Sequence, residues 1–160
     1  MEFVNTARVP APRESVWAFL KDLEAVGRCV PGVETVERGD DGAYRGAIRV
    51  KVGPISLQLT GALVLESRDD AAHVSRMRAR AADTRVSGSV NARIAMEVGE
   101  VSLTESELVV RTDAAILGKL GEFGQPFMRK KADSLMAEFA ANLARQVAGT
   151  PGGPASGARA

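Results

Sequence analysis

Residues 44–66 read YRGAIRVKVGPISLQLTGALVLE. Two runs of alternating side chains flank a glycine–proline step. In the first, Tyr44, Gly46, Ile48, Val50 and Val52 fall on one side, and Arg45, Arg49 and Lys51 on the other. In the second, Ile55, Leu57, Leu59, Gly61, Leu63 and Leu65 alternate with Ser56, Gln58 and Thr60. A period of two with one apolar and one solvated face marks antiparallel strands. Gly53-Pro54 turns the chain between them. Gly46 and Gly61 lie on the apolar side, where glycine lets a sheet bend sharply or leaves room beneath it.

The same period extends in both directions. Residues 3–9 form a first strand that Pro10 and Pro12 end, and residues 33–38 form a second, joined to residue 44 by the turn Asp40-Asp41-Gly42. Residues 73–81, 86–98 and 107–117 give three more. Between the first two strands, Ser15 is placed to cap a short helix carrying Val16, Trp17, Phe19 and Leu20. Leu23 and Val26 continue a second helical piece, which Cys29-Val30-Pro31-Gly32 stops. After Leu117 the period changes. Gly118, Gly121 and Gly124 read as a loose linker, and Pro126 suits a first helical position. Met128, Ala132, Leu135, Met136, Phe139, Leu143 and Val147 then recur at helical spacing. A helix of about 22 residues is about 33 Å long, enough to cross a sheet.

This pattern predicts an α+β fold: a curved antiparallel sheet of about seven strands wrapped on a long C-terminal helix, with two short helices after strand 1. The expected division is one domain over residues 1–148 and a disordered tail over 149–160, where glycine, proline, alanine and serine dominate.

Composition narrows the function. The 160 residues carry 21 basic and 20 acidic side chains, a net charge of +1. That balance argues against nucleic acid as a partner. A single cysteine excludes an internal disulfide. No apolar run approaches the roughly 20 residues of a membrane-spanning helix. The N-terminus lacks a basic stretch followed by an apolar one, so no secretory leader is expected and a cytoplasmic location is.

The order of elements resembles the helix-grip fold of the START and Bet v 1 type (SRPBCC) lipid- and hormone-binding proteins. Three stretches sharpen the resemblance to the carbon monoxide dehydrogenase G-subunit family. They are Cys29-Val30-Pro31-Gly32; the run from Tyr44-Arg45-Gly46 through Lys51-Val52-Gly53-Pro54-Ile55 to Gly61; and Gly118-Lys119-Leu120-Gly121-Glu122-Phe123-Gly124 leading into Phe139–Leu143. The resemblance spans residues 2–147. It implies a non-enzymatic role beside a molybdenum hydroxylase of the carbon monoxide dehydrogenase type, in electron delivery or membrane recruitment. It also implies a position at the inner membrane face.

Under such a fold the inward side chains are Leu, Ile, Val, Met, Ala and Gly, and aromatic residues make up only 4% of the chain. Gly46, Gly61, Gly88, Ala79 and Ala92 are too small to fill the interior, and an unfilled apolar void is costly. Met77, Met96, Met128 and Met136 suit an adaptable wall. The expected ligand contacts are Tyr44, Leu57, Leu59, Met77, Val90, Ile94 and Met96 on the strands. Leu120, Phe123, Phe127, Met128 and Leu135 add the linker and helix. The expected occupant is a quinone or a lipid, held without a covalent cofactor.

Chemistry has few carriers here. His73 is the only histidine and is expected exposed at a strand end. Cys29 reads as a small buried residue packing a turn. No carboxylate cluster recurs at metal-ligand spacing. The Gly118/Gly121/Gly124 spacing matches neither phosphate-cradling motif. Trp17 reads as a packing anchor. Arg76, Arg78 and Arg80 form one face of a strand, either a solvated ladder paired with acids or a docking patch. Arg129, Lys130 and Lys131 crowd positive charge at a helix N-terminus, which is unfavourable there, and so are candidates for a partner or membrane contact. Two other classes stay open: a recruitment protein with a filled core, and a cyclase or hydrolase with a buried polar cluster around Tyr44, Asp113 or His73.

Overall fold

The computed structural model describes residues 1–83, 85 and 88–149. Residues 86–87 of one expected strand, and the tail beyond 149, lie outside that set. The elements run β1 (Glu2–Val9), α1 (Arg13–Leu20), α2 (Leu23–Arg28), β2 (Val33–Arg38), β3 (Tyr44–Val52), β4 (Ile55–Asp69), β5 (Val74–Asp83), β6 (Gly88–Ser102), β7 (Glu105–Gly118) and α3 (Gln125–Gly149), with a 3-10 turn over Lys119–Phe123 before α3. The strands form one antiparallel sheet in the order β1-β7-β6-β5-β4-β3-β2. The predicted α+β architecture is therefore present, with strands that extend further at their ends than periodicity indicated.

Each register follows from the alternation. Tyr44 pairs with Leu63, Ile48 with Leu59 and Val52 with Ile55, so the apolar side chains of β3 and β4 share the inner face. Gly53 closes this hairpin at φ +60°, a conformation that favours glycine. Gly46 and Gly61 pair directly. A Cβ on Gly46 would lie 2.3 Å from the Thr35 carbonyl oxygen, and one on Gly61 would lie 1.8 Å from that of Arg80. No larger residue fits there, and the sheet coils through this point because neighbouring backbones close in on it.

The principal core lies where α1, α2 and α3 meet β1, β6 and β7. Val9, Val16, Leu20, Val98, Leu108 and Leu143 anchor it. Two smaller clusters follow the sheet toward the N-terminal end of α3, one around Phe3, Ala92 and Ala114 and one around Val52, Leu57 and Leu120. Helix α3 lays its Met136–Phe139–Leu143–Val147 stripe onto the principal core and packs beside β1.

Two local expectations are corrected. Ser15 caps nothing; α1 begins at Arg13 behind Pro12, which has no side chain to cap with. The capping oxygen belongs to α2, where Asp22 accepts from the Ala25 amide at 3.2 Å. The Gly118–Gly124 segment is not loose. It winds into one 3-10 turn that buries Leu120, with Gly118 at φ +72° and Gly124 at φ +82° at its two ends.

The Gly61 contact generates a test. Gly61→Ala drives a methyl into the β5 backbone and is expected to lower unfolding free energy by about 1–3 kcal/mol. Gly99→Ala, whose Cβ would meet its nearest neighbour at 4.0 Å, is expected to stay within about 0.5 kcal/mol of wild type. Urea denaturation measures both.

Candidate ligand cavity

The coil at Gly46 and Gly61 carries the inner face of β3, β4 and β5 away from α3. The space so formed is an apolar pocket of about 280 Å³ that opens to solvent on one side. Leu23 and Val26 of α2 close one wall, and Phe139 reaches in from α3. Tyr44 and Ile48 line it from β3, and Leu59 and Leu63 from β4. Met77 and Ala79 come from β5, and Ile94 and Met96 from β6.

Exposure separates this space from filled core. Leu57, in the filled cluster around Val52, is 1% exposed. Ile48, Leu59, Leu63, Ala79 and Ile94 also point inward, yet they are only half-buried. Inward apolar side chains that solvent can reach mark room the protein's own atoms leave unfilled. The cavity carries one aromatic polar tip, the Tyr44 phenol. Its hydroxyl has no hydrogen bond among the described residues, and the Arg38 guanidinium lies 5.9 Å from its ring centre.

Of the ligand contacts expected from sequence, the structure brings together Tyr44, Leu59, Met77, Ile94 and Met96 around this cavity. It places the others elsewhere. Leu57, Val90, Leu120 and Phe123 pack into one cluster beside Val52. Met128 packs with Phe3, Ala92 and Ala114. Phe127 is exposed and stacks on Phe123, ring centres 5.3 Å apart. Leu135 is half-buried outside the cavity wall. The N-terminal part of α3 thus seals one end of the sheet, and the cavity lies toward α2. Leu63 and Ile48 were legible as inward positions; Leu23, Val26 and Phe139 reach the cavity only through tertiary packing.

The polar candidates do not converge. His73 is buried, not exposed as expected. Its Nε2 lies 2.7 Å from Glu14 Oε2, and its ring sits 5.3 Å from that of Trp17. Trp17 is buried as anticipated and donates its indole N–H to Asp70 Oδ1 at 2.9 Å. These contacts strap α1 to the turn between β4 and β5, and His73 holds that turn at φ +57°. Asp113 is exposed on the outer face, 4.0 Å from the N-terminal ammonium. Tyr44, Asp113 and His73 therefore occupy three separate places. Among the described residues no three His, Cys, Asp or Glu side chains are grouped to hold a metal ion.

The basic triplet at the start of α3 is divided as well. Arg129 is drawn over the Phe3 ring at 5.8 Å, Lys130 is exposed and Lys131 is half-buried. No helix among the described residues is long and apolar enough to cross a membrane.

Comparison with known proteins places this geometry. The family model for the carbon monoxide dehydrogenase G subunit (CoxG) matches residues 6–148. No curated protein matches the chain in sequence. Among solved structures, a conserved protein from Geobacillus kaustophilus superposes with a TM-score of 0.82 at 16% identity, over 92% of this chain and 95% of that one. A START superfamily protein from Mycobacterium smegmatis gives 0.62 at 15% identity, over 91% and 96%. The ZhuI aromatase/cyclase from Streptomyces sp. R1128 gives 0.57 at 19%, over 96% and 98%. At these identities the likeness is one of fold, the START-like helix grip.

Cys29 caps the C-terminal end of α2 within the principal core and is 2% exposed, its Sγ 3.6 Å from the Ala25 carbonyl. Burial pushes its thiol pKa up, against the smaller opposing pull of Arg28 and Arg145. The thiolate is the reactive form. Alkylation by iodoacetamide is therefore expected to run at least about tenfold slower in the native protein than in urea, read by mass spectrometry.

Proposed function

Because the chain belongs to the CoxG family of carbon monoxide dehydrogenase, matched over residues 6–148, we propose that it is a non-enzymatic carrier of an apolar, ring-headed ligand. It serves a molybdenum hydroxylase of the carbon monoxide dehydrogenase type. The observation that carries this reading is the apolar cavity of about 280 Å³ with half-buried inward side chains. A dry cavity of roughly 150 Å³ accepts benzene. This one offers about twice that, the scale of a fused or substituted ring, with an attached chain leaving through the open side.

A quinone meets these requirements. Its ring is apolar, its carbonyls accept hydrogen bonds, and the Tyr44 phenol is a donor with no hydrogen bond among the described residues. Electrons leaving a soluble hydroxylase for a quinone pool must cross from water to lipid. A protein that shields the ring and the base of its tail supplies that step, at the cytoplasmic face of the membrane. A lipid or fatty acid is the next occupant by the same logic. The separation of Tyr44, Asp113 and His73 supports binding over catalysis, because acid–base chemistry needs such groups within reach of one another.

Mass spectrometry of an organic extract of the purified protein is expected to show a quinone or lipid. Calorimetric titration of the stripped protein with 2-methyl-1,4-naphthoquinone is expected to saturate at one site. Ala79→Leu, which fills the cavity, should weaken that binding by roughly tenfold or more while the melting temperature stays within a few degrees. Phe127→Ser, away from the cavity, should leave it unchanged. Empty extracts together with no saturable binding would sink the carrier reading.

A further inference from the structure

We propose that the outer face of β5, β6 and β7 is a docking surface for an acidic protein face. If the chain serves a hydroxylase, that enzyme is the partner; only the partner's identity rests on the function proposed above.

The sheet register lays out a grid. Arg76 stands opposite Ala95, which stands opposite Arg111. In the next row Arg78 faces Arg93, and Arg93 faces Asp113. In the third, Arg80 faces Asn91, which faces Ala115. Five arginines thus share one flat patch of three strands, in a chain whose net charge is only +1. Neighbouring positions are about 4.8 Å apart across strands and about 6.6 Å along them.

The arrangement works against the sheet that carries it. Arg78 and Arg93 are a like-charged cross-strand pair, which is destabilising. Arg78 is relieved by Glu66 at 2.7 Å. Arg76, Arg93 and Arg111 make no ion pair among the described residues, and all five arginines are exposed. A ladder serving only solubility would pair its arginines with acids, as Arg8 is paired with Glu105 and Glu107 on β7, whereas among the described residues Glu66 alone makes an ion pair with one of these five.

Shape and chemistry select the partner. Two shallow troughs of about 410 and 560 Å³ flank Arg93. Ala95 helps floor one and Ala115 the other, and the exposed Val4 and Val64 stand at the margins beside Arg111 and Arg78. Small apolar floors let carboxylate side chains reach the guanidinium forks, which bind them bidentately. Arginine is enriched in protein interfaces. Glu2, Glu66 and Asp113 at the same patch oppose a uniformly anionic surface such as a bilayer or nucleic acid.

The test uses the full chain and the purified carbon monoxide dehydrogenase complex of the same organism, with a decaglutamate peptide as a second probe. Wild type is expected to bind both, more weakly as salt rises. Arg76→Glu/Arg93→Glu/Arg111→Glu should bind each roughly tenfold or more weakly, while 2-methyl-1,4-naphthoquinone binding stays unchanged. Arg129→Glu/Lys130→Glu/Lys131→Glu should bind as wild type does. If the triple reversal melts early, the corresponding glutamine variants should fold and show the same order with a smaller step. Equal binding by the reversed and wild-type proteins overturns the proposal. So does absence of wild-type binding to both probes, or uptake onto phosphatidylglycerol vesicles through these arginines without binding to either probe. The quinone titration is scored separately, so either reading can fail alone.

Discussion

Two missing methyl groups govern the shape of this molecule. Gly46 and Gly61 face each other across β3 and β4, and the neighbouring strands press their carbonyl oxygens into the places where Cβ atoms would stand. That contact lets the sheet coil tightly enough to lift its β3–β5 half off the long helix. The β1–β7–β6 half remains pressed against α3 and forms the solid core. One sheet thus has a filled end and a hollow end, and the hollow arises from backbone geometry rather than from any special side chain.

The strap at the β4–β5 turn keeps the hollow end in register with the rest. Trp17, Glu14 and Arg13 of α1 reach Asp70, His73 and the Val98 and Ala72 carbonyls. Burying the Trp17 indole and the His73 ring is tolerable because each finds a partner. The histidine is therefore part of the frame. The side of the sheet away from the helices is wet and carries the arginines, so ligand and partner address opposite faces of the same strands.

Much of this was legible in the sequence, and for a physical reason. Alternation reports which side of a strand meets the core, so β3 and β4 could be read residue by residue from 44 to 65. Tyr44, Leu59, Met77, Ile94 and Met96 followed from that parity alone. Helical periodicity located α3 but could not say which part of it meets open space. Leu120, Phe123, Phe127, Met128 and Leu135 were assigned to the ligand because they are apolar, whereas the structure uses four of them for packing or ring stacking at the other end. His73 misled because its partner Glu14 lies 59 residues upstream in α1, a separation that local pattern cannot bridge. The glycines at 118, 121 and 124 suggested slack, yet positive φ at the first and last serves a compact turn.

The edge strand β1 has a consequence for how the chain is made. Among the described residues its only sheet partner is β7, with Glu2 opposite Asp113 and Val9 opposite Ser106. β1 thus cannot pair until about a hundred further residues have been made, or roughly 5–20 s of synthesis. Until then Phe3 and Val9 travel uncovered. Helix α3 rests on β1 and gains its full seat only when that strand is in place, so the solid end of the sheet can close only after the chain through β7 has been made.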